Sequence, residues 1–254
     1  MVNYLGVWTL FKKEIMRFLK VYHQTILSPI INIILFLAVF SLSVGGQIKT
    51  IEGVPFALFM ASGLIMMAAM QNSFANSSSS FVMSKVMGFF GDYLVPPIGA
   101  LGLLFAFTFG AILRGICVAI VAFLAISIFV KLTIFNLGYL VFYLVFSCMF
   151  LALLGVLCGV VSETFDQMSA MTSYVITPLT FLSGTFYSTK ALPEFWHAVS
   201  TYNPFFYMID GFRYSVTGYH DGSLTVGVSF ILIINFILAC ILHQLIKKGY
   251  RIKS

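Results

Sequence analysis

The sequence predicts an all-α integral membrane protein with six transmembrane helices, an N-terminal amphipathic interface helix, and two short re-entrant outer helices between spans five and six. Of its 254 residues, 60% are hydrophobic and only 9% are charged, whereas soluble domains carry about 25% charged residues. Runs of roughly 18 or more apolar residues can cross a hydrocarbon layer about 30 Å thick as helices. Such long apolar runs lie at residues 26–44, 54–71, 98–130, 136–160, 168–186 and 224–246.

The net charge of +6 is distributed unevenly along the chain. Basic residues precede the first apolar run and follow the last one, and the positive-inside rule assigns both groups to the cytoplasm rather than to nucleic acid. Two cytoplasmic termini require an even number of spans. The basic residues in these two groups are Lys12, Lys13, Arg17, Lys20, Lys247, Lys248, Arg251 and Lys253.

Residues 1–25 are predicted to form the interface helix. Over residues 3–20 an apolar stripe and a basic stripe follow different sides of a helix, which suits a helix lying on the membrane with its basic groups facing lipid phosphates. The apolar stripe consists of Trp8, Phe11, Ile15, Phe18 and Leu19. Ser28-Pro29 marks the start of the first span, because proline is tolerated in the first turn of a helix. That span is predicted to end at Gly45-Gly46.

The second span begins near Pro55 and continues without a break into a polar stretch at residues 71–80. Asn72 and Asn76 lie one helical turn apart on a shared face, next to Ser73 and Ser77. Polar groups at membrane depth must find partners or water. Two interpretations stay open: these residues line a substrate pathway, or the serines bond to their own helix carbonyls and the asparagines join neighbouring helices.

Residues 82–97 interrupt the membrane pattern with a lysine, two glycines and a double proline. They predict a cytoplasmic excursion with a short helix that ends at Pro96-Pro97. We expect residues 98–113 to lie along the cytoplasmic interface, because two spans within 98–130 would place the basic C-terminus outside. Arg114 would then extend to that surface at the start of the third span, 115–130.

The fourth span covers residues 136–160, where Gly155 and Gly159 form a small-xxx-small pair suited to close helix packing. The fifth span, 168–186, contains Pro178, which should kink it. Residues 187–223 are too charged for a span but rich in aromatic residues, and they predict two short helices at the outer interface. Pro193 and Pro204 suit the first positions of these helices, and Asn203 could cap the second. The sixth span then leads to the basic tail.

Several kinds of chemistry have no signature in this sequence. The chain lacks a Gly-x-x-x-x-Gly-Lys-Ser/Thr phosphate loop, so we expect it not to bind and hydrolyse ATP itself. We find no paired carboxylates, Ser-His-Asp set or metal-ligand spacing in a plausible site. Acidic residues are nearly absent from the span interiors, which disfavours a secondary carrier powered by an ion gradient. The four cysteines, Cys117, Cys148, Cys158 and Cys240, lie in apolar runs and are predicted to be structural.

Three segments resemble the membrane subunit of type-2 ABC exporters, and the resemblance covers essentially the whole chain. The first segment is residues 11–20 running into Pro29, and the second is residues 92–97 followed by Arg114-Gly115. The third is the most specific: residues 177–187, then Leu192-Pro193, Asn203-Pro204, Tyr207 and residues 211–213. Residues 164–166 and 211–214 look closest to the YadH-like branch of Gram-negative inner membranes.

The resemblance implies a single transmembrane domain over residues 1–254, in the bacterial inner membrane, that works with two copies of a separate ATPase and pairs with a second permease copy. ATP and Mg²⁺ would bind to the ATPase, and this chain would hold no cofactor. The residues implied to couple to the ATPase are Lys12, Lys13, Arg17, Gly91, Asp92, Tyr93, Leu94, Val95, Pro96 and Pro97. The residues implied to form an extracellular gate are Phe195, Trp196, Asn203, Pro204, Tyr207 and Arg213. Many relatives carry two consecutive acids in the coupling segment, and here Gly91 replaces one of them.

The function expected from these observations is that of an exporter permease, not an enzyme, that moves an amphipathic or lipid-like substrate. Membrane lipid is a further expected partner, and nucleic acid is not. Two alternatives stay open: a non-transporting membrane scaffold or sensor subunit, and a secondary carrier that needs no ATPase.

Overall fold

A computed structural model of the protein describes residues 3–43, 45, 48–94 and 98–251. The α-helices are α1 (Tyr4–Lys20), α2 (Ser28–Ser43), α3 (Phe56–Val86), α4 (Phe90–Leu94), α5 (Gly99–Ser127), α6 (Leu137–Val161), α7 (Phe165–Met171), α8 (Thr177–Phe181), α9 (Glu194–Tyr202), α10 (Pro204–Thr217) and α11 (Leu224–Lys247). Two π-helical turns, His23–Leu27 and Thr172–Ile176, precede α2 and α8, and a 3-10 turn covers Thr189–Ala191. A two-stranded antiparallel hairpin, β1 (Thr50–Ile51) and β2 (Val54–Pro55), joins α2 to α3.

The prediction of a mostly helical membrane protein is confirmed. Within the described ranges, five helical stretches are long and apolar enough to cross a membrane: His23–Ser43, Phe56–Val86, Gly99–Ser127, Leu137–Val161 and Leu224–Lys247. The central one is α3, whose residues are mostly buried by α2, α5, α6 and α10. By contrast, α2 and α11 expose most of their apolar side chains, as expected of helices that contact lipid or another subunit. The predicted span end at Gly45-Gly46 falls partly outside the described residues; α2 itself ends at Ser43.

Helix α3 is the unbroken helix that the sequence predicts. It begins directly after Pro55 and continues for 31 residues through the polar stretch to Val86. At 1.5 Å per residue, this is a rod of about 46 Å, longer than the hydrocarbon layer. The first five residues of the predicted excursion 82–97 therefore belong to α3. The short helix expected there is α4, while Val95, Pro96 and Pro97 lie outside the described residues.

The expectation that residues 98–113 form a separate interface segment is wrong. Helix α5 runs as one piece from Gly99 to Ser127, about 43 Å at the usual rise per residue. Arg114 lies near its middle and does not extend to the membrane surface. Its Nη2 instead donates a hydrogen bond of 2.8 Å to Asn72 Oδ1 on α3. Because Arg114 has a polar partner at its own depth, its guanidinium does not need to reach the interface. Only the tertiary structure identifies that partner.

Helix α6 packs closely along α3, as the small-residue pair predicted. A Cβ on Gly155 would overlap Ser77, and a Cβ on Gly159 would lie 2.5 Å from Phe81 Cβ. The C-terminal carbonyls of α6 are capped by two cations. Lys85 Nζ donates to the carbonyls of Gly159, Val160 and Ser162 at 2.7–3.1 Å, and Arg251 donates to that of Val161 at 3.1 Å. Cations are favourable at a helix C-terminus.

The predicted fifth span is interrupted. Helix α7, the π turn Thr172–Ile176 and helix α8 follow one another from Phe165 to Phe181. These 17 residues span about 25 Å, less than the roughly 30 Å hydrocarbon layer. The irregular turn ends just before Thr177-Pro178. A proline inside a helix removes one backbone hydrogen bond and clashes with the preceding turn, which explains the change of helix type at this point.

Two short helices follow, where the sequence predicts them. Pro193 caps α9 rather than opening it, whereas Pro204 is the first residue of α10. The Asn203 side chain accepts a hydrogen bond of 3.1 Å from Phe205 N, so the predicted cap is confirmed. Gly218, with φ of +78°, ends α10 in the left-handed conformation that favours glycine.

Gly211 on α10 provides a test of this packing. It faces the ring of the buried Tyr143 on α6, and a Cβ at position 211 would overlap that ring. We expect Gly211→Ala to lower the free energy of unfolding by about 1–3 kcal/mol, the usual effect of overpacking a core. Gly91→Ala is the control, since a Cβ at Gly91 meets no atom within 4 Å. Thermal unfolding in detergent measures both, and equal stability of the two variants would contradict the packing of α10 on α6.

Candidate functional site

A cavity of about 340 Å³ lies beside the polar part of α3. It is bounded by α2, by α3 and by the chain around the second π turn. Its walls are mixed, with amide and hydroxyl groups among apolar side chains, and the described residues that line it include none that is charged. The lining residues are Ser28, Pro29, Asn32, Ile33, Phe36, Leu64, Met67, Ala68, Gln71, Asn72, Phe74, Ala75, Thr172, Ile176 and Thr177.

Of the four residues predicted for the substrate pathway, only Asn72 borders this cavity. Its Nδ2 donates to the carbonyl of Ala68 at 2.9 Å, and its Oδ1 accepts the hydrogen bond from Arg114. The side chain is therefore fixed by one neighbour on its own helix and one on α5. Gln71, which the sequence analysis did not select, lines the same cavity.

Asn76, Ser73 and Ser77 lie in contacts between helices. Asn76 Oδ1 accepts a hydrogen bond of 2.9 Å from Arg17 Nη2, which also donates to the Asn76 carbonyl at 2.7 Å. Ser77 Oγ donates to the carbonyl of Ala152 on α6 at 2.8 Å. Ser73 is fully buried, where a Cβ on Gly115 would overlap its hydroxyl. The polar face of α3 thus has one position at a cavity and three within helix contacts, and the substrate-pathway interpretation stays a prediction.

Two helical stretches at the cavity wall contain a π-helical turn. Each contains a π-helical turn followed by a hydroxyl residue and a proline: His23–Leu27 before Ser28-Pro29, and Thr172–Ile176 before Thr177-Pro178. Residues from both sequences line the cavity. Single π turns occur frequently at functional sites and are a recognised cause of helix kinks. The sequence predicted the Pro178 kink but not that the Pro29 region faces the same space.

Those predicted coupling residues that the structure describes on α1 and α4 lie near the far end of α3. Phe90 on α4 is buried and packs on Phe81, with ring centroids 4.7 Å apart. Tyr93 packs edge-on to Phe107 of α5 at 6.2 Å, and its hydroxyl contacts Lys13 of α1. Helix α4 is thereby fixed to α1, α3 and α5 by its buried side. Gly91, Asp92 and Lys12 are exposed at this surface, and Leu94 ends the helix.

An ion pair within α1, between Glu14 and Arg17, is hydrogen-bonded to α3, and its buried carboxylate is not among the site residues predicted from the sequence. Glu14 is 0% exposed. Its Oε1 accepts a hydrogen bond of 2.8 Å from Ser80, and its Oε2 lies 3.4 Å from Arg17 Nε. The sequence pattern indicates this burial, because Glu14 lies four residues from both Leu10 and Phe18, the other buried residues of α1. Helix α1 is therefore packed into the protein along this side.

The predicted gate residues divide into a buried and an exposed group. Arg213 is 1% exposed; its guanidinium lies 3.7 Å from the centre of the Phe59 ring, and its Nη2 donates to the Gly184 carbonyl at 2.7 Å. Asn203 Nδ2 donates to the Leu179 carbonyl of α8 at 2.7 Å. These contacts attach α10 to α3 and α8. The remaining predicted residues are Phe195 and Trp196, both exposed, and Pro204 and Tyr207, both half-buried.

Two aspartates, Asp210 on α10 and Asp221 in the following loop, hold the loops at this end in place. The Asp210 carboxylate accepts hydrogen bonds from the backbone N–H groups of Asp221 and Gly222 at 2.7 and 2.9 Å. Asp221 in turn accepts from Ser188 Oγ at 2.8 Å and from Thr189 N at 2.9 Å. Burial raises the pKa of the Asp221 carboxyl, but hydrogen bonds from Tyr219, Ser188 and Thr189 outweigh it, and the pKa lies below its ordinary value. Because these hydrogen bonds all lie within the chain, we interpret the two aspartates as structural residues.

Comparison with known proteins identifies the family. The sequence profile described as "ABC-2 type transporter" matches residues 6–217. The chain belongs to the ABC-2 type transporter family. It is also 34% identical over 253 residues to "Inner membrane transport permease YadH" of Escherichia coli (strain K12), which covers 99% of this chain and 98% of that protein. Proteins of the same name from Escherichia coli O157:H7 and Shigella flexneri match equally well.

Membership of the ABC-2 family confirms the predicted resemblance, including its YadH-like branch. The chain is a transport permease subunit with several membrane-spanning helices. ABC-2 permeases typically work with an ATPase subunit. Among the described residues, no group of three His, Cys, Asp or Glu is placed to hold a metal ion.

Proposed function

We propose that this ABC-2 permease subunit exports an amphipathic, lipid-like substrate from the bacterial inner membrane, as a homodimer driven by two copies of a separate ATPase. Asn72 and the cavity beside it are the substrate pathway within each subunit. The end formed by α4 and the C-terminal residues faces the cytoplasm and receives the ATPase, which supplies the ATP- and Mg²⁺-dependent step. This chain contributes the membrane pathway and no ATPase site of its own.

The contacts at the two ends of α6 support six membrane crossings with both termini inside. Lys85 of α3 and Arg251 of the tail both cap the C-terminus of α6. The end of α3, the C-terminal tail and the end of α6 therefore lie at the same end of the protein. At the other end, Tyr143 near the start of α6 donates to the carbonyl of Leu224, where α11 begins. The chain between Val161 and Leu224 must therefore pass from one end to the other. Helices α7 and α8 supply this fifth crossing, with α9 and α10 re-entering from outside as the gate.

The chemistry of the cavity supports an amphipathic substrate. Its apolar residues, such as Ile33, Phe36 and Leu64, suit a hydrocarbon chain, while Asn32, Gln71 and Asn72 offer amides to a polar head. The two π-helical turns in its wall, each followed by a proline, are places where helices can change direction. A change in the angle of α2 relative to α8 would open or close the cavity, which is the movement that an alternating pathway needs.

The single observation that carries this proposal is the cavity beside Asn72, lined by two helical stretches that contain π-helical turns, in a chain of the ABC-2 family. The ATPase would act on this cavity through the buried sides of α4 and α1, which pack on α3 and α5. ATP binding shifts an inward-to-outward equilibrium only by its differential affinity for the two states. Because the docking surface is rigidly connected to α3, a difference in affinity between the two states can change the conformation of the substrate pathway.

Asn72→Leu tests the pathway. It removes a polar group from the cavity wall, and we expect transport by the reconstituted permease–ATPase complex to fall about tenfold or more, equivalent to about 1.4 kcal/mol in the barrier. The complex should remain assembled in size-exclusion chromatography. Asn235→Leu is the matched control, because Asn235 is also buried but bonds to the Phe146 carbonyl away from the cavity. Normal transport by Asn72→Leu, or an equal loss in Asn235→Leu, would remove Asn72 from the pathway.

A further inference from the structure

Three ionic side chains meet at the polar part of α3: Glu14, Arg17 and Arg114. The one carboxylate among them, that of Glu14, pairs with Arg17 and accepts a hydrogen bond from Ser80. Arg114 forms no ion pair in the part of the chain that the structure describes. Gly110, one turn before Arg114, allows α1 to approach α5 at the level of Glu14, yet neither Glu14 oxygen bonds to Arg114. The cluster therefore carries one positive charge in excess.

Arg114 lies near the middle of α5, within the apolar part of the protein. A charged side chain at the centre of a bilayer costs about 2.5–3.5 kcal/mol on insertion scales. Its Nε is shielded and has no hydrogen-bond partner among the described residues, and Asn72 Oδ1 is its one bonded acceptor there. An ionisable residue at this depth is by default a candidate for a functional role.

The Asn72 amide connects this charge to the cavity. Its Oδ1 accepts from Arg114, and one Nδ2 hydrogen is used by the Ala68 carbonyl. The second Nδ2 hydrogen has no acceptor within the described chain, and Asn72 borders the cavity. A cation bonded to the amide oxygen polarises the amide and strengthens its N–H donors. The described lining residues include no charged side chain, so the Asn72 amide is the lining group that a positive charge polarises directly.

We infer that the Asn72–Arg114 pair selects substrates that carry an anionic, phosphate-like head group on an apolar chain. Arg114 is a positioning residue here, because it acts on the bound anion through the Asn72 amide. This inference deepens the proposed function and rests on the cavity being the substrate pathway. A binding measurement tests it without requiring transport, export direction or an ATPase step.

The probes are lauroyl lysophosphatidic acid and monolauroylglycerol, which share one acyl chain and differ by the phosphate. Equilibrium binding to the full-length protein, with its ATPase, in uncharged detergent should be about tenfold tighter for the phosphate lipid, equivalent to about 1.4 kcal/mol. Arg114→Gln should bring the two affinities within about twofold by weakening binding of the phosphate lipid far more than that of monolauroylglycerol, and Arg114→Lys, which keeps the positive charge, should restore most of the preference. Lys131→Gln removes the same charge from an exposed position and should retain the full preference.

Four outcomes would overturn the inference. These are equal binding of the two lipids to the unmodified protein, a loss of preference in Lys131→Gln, an equal fall in both affinities in Arg114→Gln, and displacement of the phosphate lipid by inorganic phosphate at the same concentration. The third would make Arg114 a purely structural residue. Failure of the export proposal would give a different result. The complex would then bind lipid with the normal preference but would move no substrate when ATP is supplied.

Discussion

Glu14→Leu is expected to lower the free energy of unfolding by about 3 kcal/mol, because it removes a fully buried carboxylate and leaves the half-buried Arg17 without its ionic partner. The substitution leaves two guanidiniums, Arg17 and Arg114, near the polar part of α3 with no carboxylate. It also removes the acceptor of the Ser80 hydroxyl. Because this network joins α1 to α3, we expect α1 to detach first. Limited proteolysis after Lys12 and Lys13 should therefore accelerate along with the fall in thermal stability.

Glu163→Leu is the matched control, because Glu163 is exposed and forms no ion pair within the described ranges. It should change the free energy of unfolding by less than about 0.5 kcal/mol, as most surface substitutions do. Glu14→Gln should lie between the two, since it keeps an acceptor for Ser80 but loses the charge. A Glu14→Leu protein as stable as the control would show that α1 does not depend on this network.

Asp92→Arg is expected to reduce binding of the ATPase about tenfold or more while the permease itself stays folded. Asp92 is exposed on α4, and the side chains that hold this helix in place, Phe90 and Tyr93, point into the protein. A charge reversal at a docking surface creates a like-charge contact that costs several kcal/mol. Copurification of the ATPase with a tagged permease measures the loss.

Glu194→Arg applies the same change of charge to an exposed acid on α9, at the opposite end of the protein. We expect it to copurify with the ATPase as the unmodified permease does. Thermal stability of Asp92→Arg should match that of this control. Full copurification of Asp92→Arg, or an equal loss in Glu194→Arg, would show that α4 is not the docking surface.

The parts of the fold that were predictable from sequence are those that local rules determine. The α3 helix continues through its polar stretch because nothing in residues 56–86 breaks a helix. Asn203 caps α10, and the glycines at 155 and 159 bring α6 close to α3, because capping and small-residue packing follow from short sequence patterns. Each of these features depends on residues a few positions apart.

The errors and omissions arise where the deciding partner is distant in sequence. Arg114 stays in the membrane because Asn72, 42 residues earlier, accepts its hydrogen bond. Glu14 is buried because Ser80 and Gly110 provide a partner and space on two other helices. For the candidate site, the asparagine pattern indicated the polar face of α3, but only the tertiary structure separates Asn72 at the cavity from Asn76 within a helix contact.

The most direct test of the permease account is transport in sealed vesicles with and without the ATPase. A nitrobenzoxadiazole-labelled lysophosphatidic acid is incorporated with the purified permease, and chemical quenching from outside reports its movement across the bilayer. The account predicts movement that requires both the ATPase and ATP with Mg²⁺, and that falls to background when either is left out. Movement in vesicles that contain the permease alone, or movement driven by an ion gradient without the ATPase, would contradict it.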